Sequence, residues 1–473
     1  MSTRIKPKKD FTEGPLFFRI TLFALPIMLT GVLQICYNMA DNIVVGKFSG
    51  DPTALAAVGC TGSLTALIIN FLLGIASGAG VVIAQLYGAK DDEKLSRTVH
   101  TALLFSVFGG IFMSVLGIII GRPALILMGT KPEILDSSVL YLQIICIGIP
   151  ANAVYNFGAS ILRSTGDSKT PLIILSLSGI VNVLLNLLFV IGFHMTVAGV
   201  GIATICAQFI SAVAVLVCLM KRKDMPYHVS LSKLCFDRNL LSRILRYGIP
   251  TGLQSAMFNI ANVLITTAVN TFPTSTVTAN TIAGNVDAFT YIAMNSFSQA
   301  AMTFVGQNYG AMKTDRIKKS IVYSIIQVLA FGICISGIEL IFKYQLISLF
   351  VDSSSPDAEI VTATAASLIT MLLIAYIICG LMDVVSGSLK GIGVVLGTMF
   401  VNMICICGVR IFWIYLIFPI EKMNTLTGLY IAYPVSWTLA LIGMSVLFVI
   451  NYKKIKLGFE KKSDDITEEP AKV

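Results

Sequence analysis

Charged residues are scarce in this chain: Asp, Glu, Lys and Arg make up only 12% of its 473 residues, whereas hydrophobic residues make up 56%. A soluble globular protein carries about a quarter charged residues. The mean hydropathy of +0.84 is also far above that of a soluble domain. Alternating strands of about ten residues, the signature of a membrane barrel, are missing, because the apolar runs are long and continuous. The composition therefore predicts a polytopic helical membrane protein.

The sequence also lacks the motifs of common chemistries. It has three histidines and neither a paired-histidine metal motif, a nucleophile motif nor a Walker-type loop. Cys405 and Cys407 have no histidine or second cysteine pair nearby, so neither a disulfide framework nor a zinc site is expected. The net charge of +9 belongs to short connections, and no nucleic-acid motif accompanies it. We therefore expect neither an enzyme nor a resident cofactor, and transport would draw on an ion gradient.

Apolar runs of 18 or more residues, cut at clusters of charge, Pro and Gly, predict an all-α fold with twelve transmembrane helices. The predicted spans are 17–46, 54–86, 98–120, 137–161, 171–193, 198–220, 244–270, 276–306, 319–342, 359–388, 395–418 and 427–451.

Lys and Arg are distributed unevenly between the two sets of alternating connections. With both termini on the cytoplasmic side, the cytoplasmic segments hold 28 of these residues and the outer segments hold five. Such an asymmetry is typical of the positive-inside rule. We therefore expect a multi-pass protein of the cell membrane with both termini in the cytoplasm.

The two halves of the chain repeat one another. The segment ALPIML at 24–29 resembles GIPTGL at 248–253, QLYGAKDDEK at 85–94 resembles QNYGAMKTDR at 307–316, and SILRSTG at 160–166 resembles GSLKGIG at 387–393. Like motifs fall on the same side of the membrane, which is typical of a parallel repeat and of transporters. The predicted organisation is two pseudo-symmetric six-helix lobes at 1–220 and 247–452, a basic cytoplasmic linker at 221–246 and a polar tail at 453–473.

A carboxylate lies inside the first predicted span. Asp41 follows Gln34 and Asn38 at helical spacing, so the three side chains share one face. A polar face on a spanning helix must turn toward other helices or a wet cavity, and an ionisable residue there predicts a functional site. Pro26 lies in the same span and predicts a kink.

Several of these segments resemble one family. The first-span segment YNMADNIVVGKFSGDPTALAAVG, the QLYGAK and QNYGAM loops and ILRSTGDSKTP after span four are similar to multidrug and toxic compound extrusion (MATE) transporters. The resemblance runs from about 15 to 450 and recurs in both halves. It implies two six-helix bundles around a V-shaped cavity and export of cationic, amphipathic organic compounds in exchange for Na⁺ or H⁺. We expect such a transporter to act as a monomer.

The resemblance also implies a cation-coupling site in the first lobe. The family's first-span Asp is matched by Asp41, and its fourth-span Tyr and Asn by Tyr141 and Asn156. Its fifth- and sixth-span ligands are matched by Asn182 and Thr204. Where related members carry a second Asp, this chain has Asn186, which removes one negative charge. The glutamate that some branches use early in span seven is absent.

Two readings of this residue set remain open. The oxygen atoms of Asp41 and its neighbours suit a hard cation such as Na⁺, yet a carboxyl group in apolar surroundings can bind a proton instead. The asparagines taken singly are better explained as hydrogen bonds that hold helices together. Grouped around an acid, they favour ion coupling.

The second half carries acids of its own. Asp287 and Tyr291 lie on a polar line along span eight, and Asp383 lies in span ten. We expect Gln34, Asn38, Asp287, Tyr291 and Asp383 to face the substrate cavity, although Asp383 would equally suit an ion pair with Lys390 or Arg410. For Arg410 itself we expect a carboxylate partner. The alternative function, flipping of anionic lipid-linked saccharides, would require more basic residues inside the membrane.

Overall fold

The computed structural model describes residues 10–48, 53–351 and 356–468, with side chains up to residue 460. Across these ranges the chain is helical and contains no strand. The helices, in chain order, are α1 Leu16–Phe48, α2 Ala54–Ala89, α3 Asp92–Leu127, α4 Pro132–Ser164, α5 Lys169–Leu187, α6 Val197–Lys221, α7 Arg238–Val269, α8 Thr274–Gly310, α9 Thr314–Ile341, α10 Lys343–Ser348, α11 Ala358–Gly391, α12 Val395–Asn402, α13 Val409–Phe412, α14 Leu426–Tyr430 and α15 Ala432–Glu468.

Eleven helical stretches of the described chain are long and apolar enough to cross a membrane. The remaining predicted span corresponds to α8, which has 37 residues but includes Asn280, Asp287 and Asn295. Its length exceeds the roughly 20 residues that a bilayer requires, and its polarity fits a helix enclosed by other helices. The prediction of a twelve-span, all-α membrane fold is confirmed.

Several helices extend beyond their predicted spans. Helix α3 begins six residues before its span, because the Asp91 carboxylate caps it by accepting from the Lys94 N–H over 3.1 Å. Hydrogen bonds from Lys94 hold the pKa of the Asp91 carboxyl below its ordinary value. At the other end of the chain, α15 continues through most of the predicted polar tail to Glu468, and residues 469–473 lie outside the described ranges.

Two of the predicted spans contain π-helical turns. The fifth continues from α5 into the π-turn Leu188–Gly192. In the eleventh, π-turns at Met403–Gly408 and Trp413–Ile417 flank the short helix α13. Such wide turns are uncommon and are frequent at functional sites.

The described residues form two compact units whose boundaries differ from the predicted lobes. One unit contains Leu25–Ala256, and the other combines Phe11–Ala24 with Met257 onward. The boundaries therefore fall inside α1 and α7, the first helix of each repeat, rather than at the linker 221–246. The reason is packing: the start of each of these helices contacts one unit and the rest of the helix contacts the other.

The first unit is built around α4, which contacts α2, α3 and α6. The start of α7 lies against α2 at two glycine pairs. A Cβ placed on Gly74 would lie 2.3 Å from the backbone of Gly252, and one on Gly78 would lie 2.3 Å from that of Gly248. The lack of side chains at these glycines lets the two helix backbones touch.

The connections of the first unit are held in place by a partly buried ion pair. Arg222 donates to the Asp167 carboxylate over 2.5 Å, and also to Thr170 and Tyr227. Burial alone would lower the pKa of the Arg222 guanidinium, but the bonds to Asp167 and Tyr227 raise it above its ordinary value. The linker is therefore an ordered part of the unit.

In the second unit the central helix is α11, which contacts α8, α9 and α15. It is the fourth span of its repeat, as α4 is of the first, so the repeat seen in the sequence has a structural counterpart. The segment before α1 also belongs to this unit. The Phe11 ring stacks on Phe304 with centroids 3.9 Å apart, and its N–H donates to Gln307 Oε1 over 3.0 Å.

Candidate ion site and its counterpart in the second unit

Asp41 contacts the fifth span of its own unit. Asn186 of α5 donates from Nδ2 to Asp41 Oδ1 over 2.5 Å. The opposite amide orientation would set two acceptor oxygens against each other, so the carboxylate fixes which way Asn186 points. Asn186 is fully buried, whereas Asp41 is partly exposed. The carboxylate therefore lies at the rim of a buried polar site.

A chain of hydrogen bonds leads inward from this carboxylate. Asn186 Nδ2 also donates to Asn182 Oδ1 over 3.3 Å, and Asn182 Nδ2 donates to Thr204 Oγ1 over 3.4 Å. Asn186 Oδ1 is buried and has no hydrogen-bond partner within the described residues. Leaving a buried acceptor without a donor costs about 1–3 kcal/mol of stability. This oxygen is therefore available as a ligand next to the Asp41 carboxylate.

Close packing of α1 on α5 brings these groups together. The Tyr37 hydroxyl donates to the carbonyl oxygen of Ser176 over 3.2 Å. Its ring lies over Gly179, where an added Cβ would be 2.0 Å from the ring atom Cζ. Tyr37 is one helical turn from Asp41 and Gly179 is about two turns from Asn186, so the glycine sets how closely the two helices approach.

The structure places the other predicted coupling residues differently. Tyr141 is buried, interacts electrostatically with Asp41, and belongs to an apolar cluster with Val44 and Val45. The Asn156 Nδ2 donates to Asn152 within its own helix, at 2.9 Å to the backbone oxygen and 2.8 Å to Oδ1, and its part in the coupling site stays a prediction.

The polar residues that precede Asp41 on α1 are exposed on the protein surface. These are Gln34 and Asn38. Helix α1 passes through Pro26 as one continuous helix, and the Thr30 hydroxyl donates to the Pro26 carbonyl oxygen over 2.7 Å. The carbonyl that loses its helical donor to this proline is that of Leu22, one turn earlier.

In the second unit, Asp287 lies where α8 meets two other helices. Its Oδ2 accepts from the Tyr376 hydroxyl of α11 over 3.1 Å. One turn later on α8, Thr290 donates to Glu339 Oε2 of α9 over 2.8 Å. Sequence reasoning overlooked Glu339, although the criterion that singled out Asp41, an acid within an apolar run, applies equally to it.

Asp383 makes no ion pair among the described residues, and its Oδ2 lacks a hydrogen-bond partner there. The predicted pairing with Lys390 or Arg410 is therefore wrong as a direct contact. Lys390 acts on Asp383 only electrostatically. Tyr291 interacts electrostatically with the same carboxylate, so these two predicted cavity residues do lie close together.

Arg410 is fully buried, and the prediction that it pairs with a carboxylate is also wrong within the described chain. Its Nη1 donates to Asn262 Oδ1 over 2.7 Å and its Nε to Ser436 Oγ over 3.4 Å. The guanidinium carbon lies 4.3 Å from the centroid of the Tyr433 ring. Neutral oxygens and an aromatic face thus take the place of a counter-ion.

In chemical terms, the first unit presents a carboxylate with amide and hydroxyl oxygens, which are ligands for a hard monovalent cation or acceptors for a proton. No three His, Cys, Asp or Glu side chains of the described chain converge as a metal centre. Two six-helix repeats with acids inside the spans define a class of protein, the polytopic secondary transporters.

The comparisons identify the family within that class. The MatE family model matches residues 26–188 and 250–416, one match in each repeat, so the chain belongs to this family and is a transporter rather than an enzyme. It is 27% identical to the probable multidrug resistance protein YoeA of Bacillus subtilis, covering 92% of this chain and 94% of the relative. It is 24% identical to the probable multidrug resistance protein NorM of Thermotoga maritima, covering 86% of each.

Solved structures share the fold. A crystal structure of MATE in the bent conformation matches with a TM-score of 0.87 and 20% identity, covering 96% of this chain and 99% of that one. The chain is thus a multi-pass membrane protein of a family whose similar members carry multidrug resistance names.

Proposed function

We propose that this protein is an antiporter that exports cationic, amphipathic organic compounds in exchange for Na⁺ or H⁺. It would act as a monomer in the cell membrane with both termini in the cytoplasm, as the 28 to five distribution of Lys and Arg favours. The observation that carries the proposal is the contact of Asp41 with Asn186, whose other amide atom is a buried, unpartnered oxygen within the described residues.

The coupling ion would bind among the oxygens of the first unit. Asp41 supplies the negative charge, and Asn182, Asn186 and Thr204 supply neutral oxygens. The buried Tyr141 and the apolar side chains beside it limit water on one side. A bound ion would take the free Asn186 oxygen as a ligand and offset the cost of burying it.

Coupling requires only that ion and substrate bind the two conformations of the transporter with different affinities. An ion at Asp41 would neutralise the carboxylate and stabilise the packing of α1 on α5. Binding of the organic cation would favour the other arrangement, so the gradient of one drives the flux of the other. Asp41 is partly exposed, which leaves the ion a route to and from the site.

The charges inside the spans favour cationic substrates. Asp41, Asp287, Asp383 and the additional Glu339 outnumber Arg410, the basic residue in the middle of a span. Negative charge attracts organic cations and repels the pyrophosphate group of lipid-linked saccharides. Flipping of such anionic lipids, the alternative, is therefore less well supported.

Replacement of Asp41 by Asn tests the proposal. Everted membrane vesicles would be given a fluorescent organic cation in the external medium, and its accumulation in the lumen measured under an imposed Na⁺ gradient or an imposed pH gradient. We expect Asp41→Asn to abolish ion-driven flux, because the amide carries no charge for the ion to neutralise. The gradient that drives the native protein identifies the coupling ion.

Asp136→Asn is the matched control, since it removes the charge of an acid whose side chain is 83% exposed and pairs with Arg122 at the surface. This variant should transport like the native protein. Ion-driven flux that survives undiminished in Asp41→Asn would refute the coupling role. Flux of an anionic lipid probe in place of the cation would refute the substrate class.

A further inference from the structure

The linker 221–246 carries large apolar side chains on its surface. Leu231, Leu234 and Phe236 are 69%, 38% and 53% exposed. The same short stretch includes the exposed basic side chains of Lys233 and Arg238. Apolar side chains that gather at a protein surface indicate a contact with another molecule or with a membrane. Which of the two applies here depends on where the segment lies relative to the bilayer.

Hydrogen bonds hold this segment against α3. At its start, the Ser230 N–H donates to Nε2 of the buried His100 over 3.1 Å. Near its end, the Asp237 N–H donates to Thr101 Oγ1, and the Thr101 hydroxyl donates to the carbonyl oxygen of Cys235, each over 3.2 Å. The backbone on both sides of the exposed phenylalanine is therefore bound to one threonine of α3, so the exposure belongs to an ordered structure.

Two contacts give the depth of the segment relative to the bilayer. On α3, the first exposed large apolar residue is Val107, which lies six residues, or about 9 Å, beyond Thr101. On α6, the carbonyl oxygen of Leu219 accepts from the Val229 N–H, and Leu219 is two residues from the exposed Val217. Exposed apolar residues of a span face hydrocarbon, and the headgroup layer beyond it is about 5–8 Å thick. The segment therefore lies at the level of the lipid headgroups.

Charge indicates which lipids this surface fits. The linker contains seven Lys or Arg and two Asp, and the start of α3, residues 91–97, which lines a cavity with it, has a net charge of −1. The surface is therefore positive. Lys233 and Arg238 make no ion pair among the described residues. Basic side chains at a membrane surface attract anionic phospholipids. A soluble partner would have to displace headgroups from this level, so depth and charge both favour lipid.

We propose that the linker segment 231–238 is a membrane anchor that binds anionic phospholipid in the leaflet that it faces. Its exposed apolar side chains enter the boundary between headgroups and hydrocarbon, as interfacial anchors do, and its two exposed basic side chains contact the lipid phosphate. Since the segment leads directly into α7, the contact fixes the beginning of that helix at the bilayer surface. The identity of the leaflet rests on the proposed orientation, but the binding does not depend on transport.

The test places a fluorescent reporter at the proposed contact. Phe236→Trp keeps an aromatic ring there, and the background from the two native tryptophans, Trp413 and Trp437, is measured in the unsubstituted protein. Single copies of the purified protein would be placed in phosphatidylcholine nanodiscs that contain either brominated phosphatidylglycerol or brominated phosphatidylcholine at the same mole fraction. Bromine quenches tryptophan on contact. We expect both brominated lipids to quench the introduced indole, and the anionic one to do so more strongly.

Lys233→Ser, added to Phe236→Trp, should lower the preference for the anionic lipid about fivefold, which corresponds to about 1 kcal/mol for one basic side chain at a membrane surface. Lys318→Ser is the matched control, because it removes an exposed lysine of α9 in the second unit, and it should leave the preference unchanged.

The membrane contact is refuted if neither brominated lipid quenches the introduced indole, whether soluble acrylamide reaches the ring or another protein surface shields it. Equal quenching by the two lipids, or a preference that survives Lys233→Ser, would refute binding of anionic lipid. A failure of Asp41→Asn to alter transport would refute the proposed coupling without affecting any of these outcomes.

Discussion

In each unit a hydrogen bond joins the first span of the repeat to the fifth, and the charged partners of the two bonds have opposite signs. In the first, Asp41 of the first span bonds to Asn186 of the fifth. In the second, Asn262 of the first span bonds to Arg410 of the fifth. Pro26 and Pro250 are 224 residues apart, as are Asn186 and Arg410, whereas Asp41 and Asn262 are 221 apart, so Asn262 corresponds to Asn38.

One link is therefore anionic and the other cationic. A mobile ion can neutralise the carboxylate, whereas a guanidinium is a cation that the chain carries permanently. The two repeats thus share a contact between their first and fifth spans, but the charged group lies on the first span in one unit and on the fifth in the other. If Asp41 couples transport to an ion as proposed, exchangeable ion binding at this contact belongs to the first unit.

Among the variants that test this comparison, truncation of Arg410 should change the free energy of unfolding most. Arg410→Ala leaves a cavity against the Tyr433 ring and removes the donor to Asn262, so we expect a loss of about 2–5 kcal/mol in the free energy of unfolding. Arg410→Met keeps most of the volume without a buried charge, and should cost at most about 1.5 kcal/mol. Thermal unfolding in detergent checks both. Equal losses would show that the charge, rather than the packing, stabilises this contact.

Gly179→Ala tests the corresponding link in the first unit, because it pushes apart helices α1 and α5, which bring Asp41 to Asn186. The added methyl group would overlap the Tyr37 ring, so we expect about 1–3 kcal/mol of destabilisation and impaired ion-driven transport. At Gly62 an added Cβ meets nothing within 4 Å, so Gly62→Ala should be neutral or slightly stabilising in the same thermal and transport assays. A Gly179→Ala protein that transports normally would mean that the close approach is dispensable.

Replacing the asparagine of each link by aspartate should change the free energy of unfolding by about 1 kcal/mol. The change should be an increase in the second unit and a decrease in the first. Asn262→Asp gives Arg410 a carboxylate partner and should raise the unfolding temperature at neutral pH. Asn186→Asp sets a second carboxylate against Asp41 and should lower it.

Since protonation of one acid relieves that repulsion, the Asn186→Asp deficit should shrink as the pH falls. Unfolding temperatures measured across a pH series check both signs. Deficits of the same size in the two variants at neutral pH would contradict the assignment of opposite charge.

Much of the fold could be predicted because the signals are local. Long apolar runs fix the spans, and the repeated motifs around Pro26 and Pro250 fix their grouping. The site was harder, since contacts between spans depend on helix rotation. The family resemblance grouped Asp41 with Tyr141, Asn156, Asn182, Asn186 and Thr204. The structure links Asp41, Asn182, Asn186 and Thr204 by hydrogen bonds.

Other contacts have no local signal. Asn156 bonds within its helix, and Arg410 contacts an amide, a hydroxyl and a ring that are distant in sequence. The unit boundaries inside α1 and α7 likewise depend on which helix each segment packs against. Glu339 is different, because its sequence signal was present and a stricter search for acids within apolar runs would have found it.

The wide turn Leu188–Gly192 begins two residues after Asn186. Because an α-helix turns by about 100° per residue, a one-residue excess re-aims every side chain that follows it. Deleting a residue there would leave the amides of α5 in place and rotate the downstream segment, including Val190, out of its apolar cluster. The π-turn thus divides one span into two helical segments with different rotations about the helix axis. The rotation of the first segment is set by the polar ligands, and that of the second by the packing of the hydrocarbon side chains.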